Sequence, residues 1–304
     1  MDKFNVNSLF SVQDYNVVIT GGGTGIGGSM ARGLAANGAT VFVLGRRIEP
    51  LEETAKEVAA AGVRGTIVPV VCDVTSKDSL QAAARKVGEK VTHVDALIAS
   101  SGATGPALPF PTAPSGPSLQ ALCDELWKTP MEDFTDTYNT NVTAVLYTAV
   151  AFLPLLYAAN SEAVRGPGSS GRPRPQIIGV SSIASYAKGT ASGYAYNSSK
   201  AALNQMLKQL GNLLVPYDVR SNVFCAGIWL TPMTQGTTLT DAAGGNDPVI
   251  EGAYPREIVP ATRIGGETDA AGMILWLCSK AGSFVNGSVI MSDGGALSIR
   301  PSSY

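Results

Sequence analysis

The sequence predicts an α/β fold: a doubly wound parallel sheet with helices on both faces. Three observations carry that prediction. Short apolar runs of the buried-strand type alternate with amphipathic stretches at the spacing of βαβ units. Glycine accounts for 34 of the 304 residues, and a dense cluster of it falls directly after the first apolar run. Apolar residues reach 45% while charged residues stop at 15%, so the chain has little charged surface relative to its core. That balance fits a large buried sheet, a subunit interface, or both.

The elements follow in order. Asn16–Thr20 (NVVIT) is the first strand, then a glycine turn and a helix from Ile26 to Asn37. Thr40–Leu44 (TVFVL) and Thr66–Cys72 (TIVPVVC) are the next strands, each followed by a helix, Glu49–Ala61 and Ser76–Lys90. Ala96–Ser100 is the fourth strand. Two long helices, Val142–Ala159 and Asn197–Leu214, precede the strands Ile177–Ser181 and Val219–Cys225, and Val289–Ser292 is the last strand. Two stretches rich in Pro and Gly, Thr104–Ser118 and Asn160–Pro175, read as loops, and neither is long enough to be a domain. The chain is therefore read as one domain, residues 1–304, with a substrate-covering lid at 231–260.

Composition excludes several functions. A net charge of −2 argues against nucleic-acid binding. Cys72, Cys123, Cys225 and Cys278 form no C-x-x-C pair, so neither a zinc site nor a disulfide framework is expected, and a reducing, cytoplasmic setting fits. His93 is the single histidine, which rules out a His-based triad; it is expected at the surface. The first residues lack the pattern of a signal peptide. Val142–Ala159 is uncharged, yet it is read as a buried or interface helix rather than a membrane span.

The turn Thr20-Gly-Gly-Gly-Thr-Gly-Ile-Gly27 sits between the first strand and first helix. Gly21, Gly25 and Gly27 let backbone approach a ligand, Thr24 adds a hydroxyl, and the helix N-terminus at Ile26 presents free N–H groups to a pyrophosphate. The spacing T-G-x-x-x-G-x-G differs from the usual Rossmann G-x-G-x-x-G. Downstream, Tyr196 and Lys200 stand at i and i+4 and share a helix face. A nearby ammonium is expected to lower the tyrosine pKa from ~10 toward the working range of a general acid–base. A hydroxyl to hold the substrate oxygen is expected at Ser182, which ends a strand at the ligand-binding edge, with Ser181 as the alternative. Strand two ends Leu44-Gly45-Arg46-Arg47, with glycine where an NAD site carries an acid. Arg46 and Arg47 suit a 2′-phosphate, so NADP(H) is the expected cofactor.

The glycine spacing and the Tyr196-Asn-Ser-Ser-Lys200 motif resemble the short-chain dehydrogenase/reductase family, over Asn16 to Gly295. Asn222 and the ending Asp293-Gly294-Gly295 match further family positions, while Ala99-Ser100-Ser101-Gly102 replaces the usual N-N-A-G and Ala226-Gly227 the usual Pro-Gly. The resemblance implies that Asp73, Val74, Ser101, Gly102, Gly227, Ile228 and Thr231 contact the cofactor and that Asn141 holds a proton-relaying water near Lys200. It also implies that Lys200 holds the nicotinamide ribose and that the two long helices pair across subunits of a homotetramer. The expected activity is NADPH-dependent reduction of a small to medium ketone or 3-oxoacyl group to an alcohol, as in the 3-oxoacyl-carrier-protein reductases and fungal metabolite ketoreductases of the family. The alternatives are an alcohol dehydrogenase working oxidatively and a cofactor-binding scaffold without redox chemistry. No metal, nucleic acid or membrane partner is expected. Leu108, Phe110 and Trp229 are expected against the substrate, and Arg165, Arg172 and Arg174 on a solvated excursion remote from it.

Overall fold

A computed structural model of the protein describes residues 1, 4–107, 117–166, 172–189, 192–235 and 243–304. Seven strands form one sheet: β1 (Asn16–Thr20), β2 (Thr40–Gly45), β3 (Thr66–Val71), β4 (Ala96–Ala99), β5 (Gln176–Ser182), β6 (Arg220–Ala226) and β7 (Val289–Ser292). Their order is β3-β2-β1-β4-β5-β6-β7, with every neighbour parallel. The main helices are α1 (Gly25–Ala36), α2 (Ile48–Ala60), α3 (Lys77–Gly88), α4 (Leu119–Trp127), α5 (Met131–Tyr138), α6 (Ala144–Ala158), α7 (Tyr194–Leu213) and α8 (Glu267–Cys278).

The strands are apolar throughout because both faces are covered. Val17, Ile19, Val41 and Val43 point to one face, against Met30 and Leu34 of α1, Leu51 of α2 and Ile274 of α8. Val18, Phe42 and Leu44 point to the other, with Leu80 of α3, Phe152 and Leu156 of α6, and Leu203 and Leu207 of α7. Phe152 and Leu156 are fully buried. At roughly 2 kcal/mol per side chain, such anchors hold α6 on the sheet although its composition would also suit a bilayer.

Boundaries differ from expectation by a residue or two at most strands. Larger differences concern the helices. The helix expected from Val142 continues upstream through a π-turn, Asn139–Thr143, into α5. α4 and α8 were not expected. Pro-rich neighbours masked α4, which has no buried residue. The signal for α8 was present: Asp269 accepts the Gly266 N–H at 2.9 Å, closing the first turn.

The stretch Asn160–Pro175 is only in part the solvated excursion expected: residues 161–163 and Arg174 are exposed, but Arg172 is anchored to the fold. Residues 167–171 lie outside the described set, but Arg172 is clamped: its Nη1 donates to both oxygens of Asp95 at 2.9 Å, its Nη2 donates to the Asp14 carbonyl at 2.6 Å, and its guanidinium lies 4.6 Å from the Tyr15 ring centre. Arg174 pairs with Asp218, and Arg165 donates to the Arg172 carbonyl. His93 joins this cluster and is half-buried, its side chain 14% exposed, rather than fully at the surface. The reason is Asp95, which is buried at the start of β4, where it also accepts the Asn16 N–H, and a buried carboxylate needs a charged partner.

Candidate active site

Strand order reverses between β1 and β4, and parallel α/β sheets bind ligands at that point, beyond the strand carboxyl ends. A cleft of about 1120 Å³ opens there. It runs from Arg46 and Arg47 past Asp73 and Val74, along the glycine turn, to Ser182, Tyr196 and Lys200.

The glycine turn is a close-packed piece of backbone whose conformation and contacts suit glycine. Gly25 takes φ +54°, and a Cβ on Gly27 would collide with the Gly21 carbonyl. Thr20 fastens the turn to the neighbouring strand: its hydroxyl accepts the N–H groups of Ser100 and Ser101 at 3.1 and 3.2 Å. That role of Thr20 was not anticipated, since a strand-end threonine carries no distinguishing sequence signal. Thr24 precedes α1 in N-cap position, yet its side chain makes no capping bond. The first-turn N–H groups therefore lack a side-chain acceptor, and their partial positive charge faces the cleft with the Thr24 hydroxyl beside it. This is the observation that makes the turn fit a pyrophosphate. Gly21, Gly25, Ile26, Gly27, Ser101, Gly102, Gly227 and Thr231 also line the cleft as expected. Ile228 does not: its carbonyl accepts the Gly265 N–H and its side chain packs on a small cluster with Tyr254 and Val259.

The pair Tyr196 and Lys200 meets Ser182 at the end of β5. Ser182 lies close enough to the Tyr196 phenol for its hydroxyl to act on it, and it accepts the Ala184 N–H at 3.2 Å. Ser181 faces away, because side chains alternate along a strand; it is buried and donates to the Lys200 carbonyl at 3.3 Å. The choice between the two serines thus falls on Ser182. Lys200 is buried on α7, with Nζ 5.7 Å from the centre of the Tyr196 ring and donating to the Val180 carbonyl at 3.0 Å. Burial is the main influence on both groups. It pushes the Lys200 ammonium down to about 8 and the Tyr196 phenol above its ordinary value, the Ser182 hydroxyl acting in the opposite direction on the phenol. The expected lowering of the tyrosine by the lysine is therefore not what the fold produces. The ammonium is turned toward Val180 and is itself penalised by desolvation.

Asn141 sits in the π-turn and is fully buried. It neither caps a helix nor lines the cleft. Its Oδ1 accepts the Ala103 N–H at 2.9 Å, and its Nδ2 donates to the Ala103 carbonyl at 2.9 Å and to Ser199 Oγ at 3.0 Å. It thereby ties the loop after β4 to α7, two elements that must be held in register for the cleft to exist. Gly102 lies in that loop, and a Cβ there would stand 3.5 Å from Lys200 Nζ. A side chain at this position would press on Asn141 Oδ1, 3.2 Å from the Cβ, and only touch the lysine.

At the far end, Asp73 is held below the usual carboxylate range, first by the Thr75 hydroxyl at 2.7 Å, then by the Thr75 N–H, with Arg46 contributing. Arg46 and Arg47 are exposed, and neither forms an ion pair with Glu49 or Glu52. Their charge is available to a ligand. On the substrate side, Thr104, Gly105 and Pro106 line the cleft, whereas Leu108 and Phe110 lie outside the described residues. Trp229 lines the cleft but is 96% buried by its own fold, edge-on to Phe224 with ring centres 5.7 Å apart. It is more a floor than a free contact. Asp133, Asp136 and Thr137 also face the cleft, and sequence reasoning missed them because it began this helix too late. No group of histidine, cysteine and carboxylate side chains suited to a metal occurs among the described residues.

Comparison with known proteins agrees with this geometry. Residues 15–242 match the model of a family described as short chain dehydrogenase. The chain is 37% identical over 300 residues to the short-chain dehydrogenase/reductase PhomF of Diaporthe leptostromiformis, covering 97% of this chain and 96% of that one. It is 35% identical over 311 residues to VdtF of Byssochlamys spectabilis, a protein of the same description, covering 98% and 97%. Among solved structures, the Pseudomonas aeruginosa RhlG/NADP active-site complex superposes with a TM-score of 0.74 at 26% identity, covering 95% of this chain and 98% of that one.

Proposed function

The chain belongs to the short-chain dehydrogenase/reductase family, and from that premise we propose that it reduces a ketone to a secondary alcohol with NADPH, Tyr196 serving as the proton donor. The observation that carries the reading is geometric: Ser182, Tyr196 and Lys200 line one end of the cleft whose other end is bordered by Arg46 and Arg47. A tyrosine phenol holds its proton at neutral pH and can give it to a forming alkoxide.

Preference for the phosphorylated cofactor rests on Arg46 and Arg47 at a strand end that has Gly45 in place of an acid. The RhlG neighbour holds NADP, which supports the same choice. When bound, the reduced nicotinamide supplies the hydride. The residues of this chain do the rest. The first turn of α1 and Thr24 would hold the pyrophosphate, Arg46 would pair with the 2′-phosphate, and Asp73 and Val74 would border the adenine. Ser182 donates a hydrogen bond to the substrate oxygen and so stabilises the negative charge that develops there. Tyr196 delivers its proton to that oxygen, and Lys200, whose Nζ donates to the Val180 carbonyl in this structure, would hold the nicotinamide ribose. Of the expected substrate-covering segment 231–260, residues 236–242 lie outside the described residues; Thr231, Pro232, Met233 and Thr234 border the cleft, with Thr231 lying against Gly25.

The test is NADPH consumption by purified protein against a panel of small ketones and 3-oxoacyl thioesters. Turnover is expected for at least one class. Tyr196→Phe is expected to abolish it while leaving NADPH affinity within a few-fold. Substantial residual turnover by that variant refutes the role given to Tyr196, and no turnover by the parent on any carbonyl refutes the reading.

A further inference from the structure

After β7 the chain turns back over the site. Asp293 accepts the N–H groups of Gly295 and Leu297 at 2.9 and 2.8 Å, which winds Ala296–Ile299 into a short helical turn. Ala296 and Leu297 are buried against Ile183, the residue that follows Ser182. Residues 300–304 then run antiparallel to the loop that carries Ser182. The Lys188 N–H donates to the Pro301 carbonyl at 2.9 Å, the Ser303 N–H donates to the Tyr186 carbonyl at 2.9 Å, and Ala187 and Ser302 form a β-bridge between these bonds. The Tyr304 ring meets Tyr186 edge-on, with centres 5.2 Å apart. On the other flank Arg300 Nη2 donates to the Ile258 carbonyl at 2.9 Å, and the Ala261 N–H donates to the Gly294 carbonyl at 3.0 Å. From below, the same loop is held by Ser185, whose hydroxyl donates to the Ser182 carbonyl at 2.7 Å and accepts from Asn204 Nδ2 at 2.9 Å.

The Ser182 loop, which borders the cleft, and the backbone at Ile258 and Ala261 thus share one neighbour. We propose that residues 300–304 are a strap that fixes Ser182 against the carbonyl substrate and ties its loop to the backbone at Ile258, with Tyr304 and Arg300 as positioning residues. This rests on the ketone-reduction reading. The physical reason is that Ser182 acts through one hydrogen bond to a developing charge, and such a bond loses most of its effect when its donor is displaced. Ser185 holds the loop only from the sheet side. The strap closes it from the opposite side, and Arg300 transmits movement at Ile258 to the same backbone.

Tyr304 is 70% exposed, so Tyr304→Ala leaves the core intact. With a ketone the parent turns over, this variant is expected to lose about tenfold or more in kcat, a fraction of what misplacing a reacting group by an ångström costs, with KM for NADPH unchanged. Tyr304→Phe is expected to retain parental kcat, because the ring contact needs no hydroxyl. Arg300→Ala is expected to raise KM for the ketone and leave that for NADPH unchanged. Parental kcat in Tyr304→Ala, or an equal loss in Tyr304→Phe, overturns the proposal. Amide hydrogen exchange is the second readout and needs no substrate: Tyr304→Ala should speed exchange of the peptide spanning 183–189, and unchanged exchange there overturns the strap. A parent that reduces no ketone while Tyr304→Ala still loosens 183–189 refutes the function and leaves the strap standing.

Discussion

Lys200→Met separates what the lysine costs the fold from what it does in the site. The ammonium is buried, and its pKa falls from 10.5 to about 8 in the folded chain. At 1.36 kcal/mol per unit, that gap means the folded state is penalised by about 3 kcal/mol at neutral pH for carrying the charge. Methionine has a similar length and no charge. It loses the bond from Nζ to the Val180 carbonyl, a loss of about 1 kcal/mol. The variant is therefore expected to be more stable than the parent by roughly 2 kcal/mol at pH 7 and to be inactive in reduction. The pH dependence carries the sharper test. Between about 8 and 10.5 the unfolded chain keeps the lysine proton while the folded chain has released it, so parental stability rises with pH across that window. Below about 8 both states are protonated, and the penalty is complete and flat. The advantage of Lys200→Met should shrink through that window. Cys225 and Cys278, both pushed up to about 12, act on both proteins and drop out of the difference. Equilibrium urea unfolding at fixed protein concentration, at pH 7 and pH 10, measures it. A variant less stable than the parent at pH 7, with the same difference at pH 10, would refute the claim that the lysine is held at the expense of stability.

Three further outcomes follow from other parts of the structure. Arg46→Ala should weaken NADPH binding by roughly ten- to a hundredfold, the worth of a charge-assisted hydrogen bond, and leave NADH nearly unaffected; titration with both cofactors checks this, and equal losses would remove Arg46 from the phosphate site. Arg172→Ala should destabilise the fold by about 3 kcal/mol, because it strands the buried Asp95 carboxylate, while KM for ketone and NADPH stay unchanged; a shift in either KM would place this cluster closer to the site than the fold does. The side chains Tyr147, Val150 and Tyr157 of α6 are apolar and exposed, the kind of surface that subunits bury, so light scattering at micromolar concentration should report a homotetramer rather than a monomer.

The covering of both sheet faces, the position of the glycine turn and the Tyr196–Lys200 pair were legible in the sequence, and for one reason: each leaves its mark in a short local pattern of residues, even where the partners that pack on it are distant. Apolar runs state that a strand is buried on two sides, and a spacing of four on a helix brings two side chains to one face whatever else the chain does. Arg46 and Arg47 were legible too, since a strand end beside a glycine turn has few places to go. Tertiary structure decided what depended on distant partners. Asn141 became a buried clamp because Ala103 and Ser199 converge on it. Arg172 and His93 were drawn in from the surface because Asp95 is buried at the start of β4. Ile228 turned from the cleft toward Tyr254 and Val259. Most consequentially, the direction in which Tyr196 and Lys200 are shifted was not written in their spacing. Charge proximity follows from local geometry, whereas desolvation is the sum of everything packed around a group, and here burial outweighs the neighbouring charge.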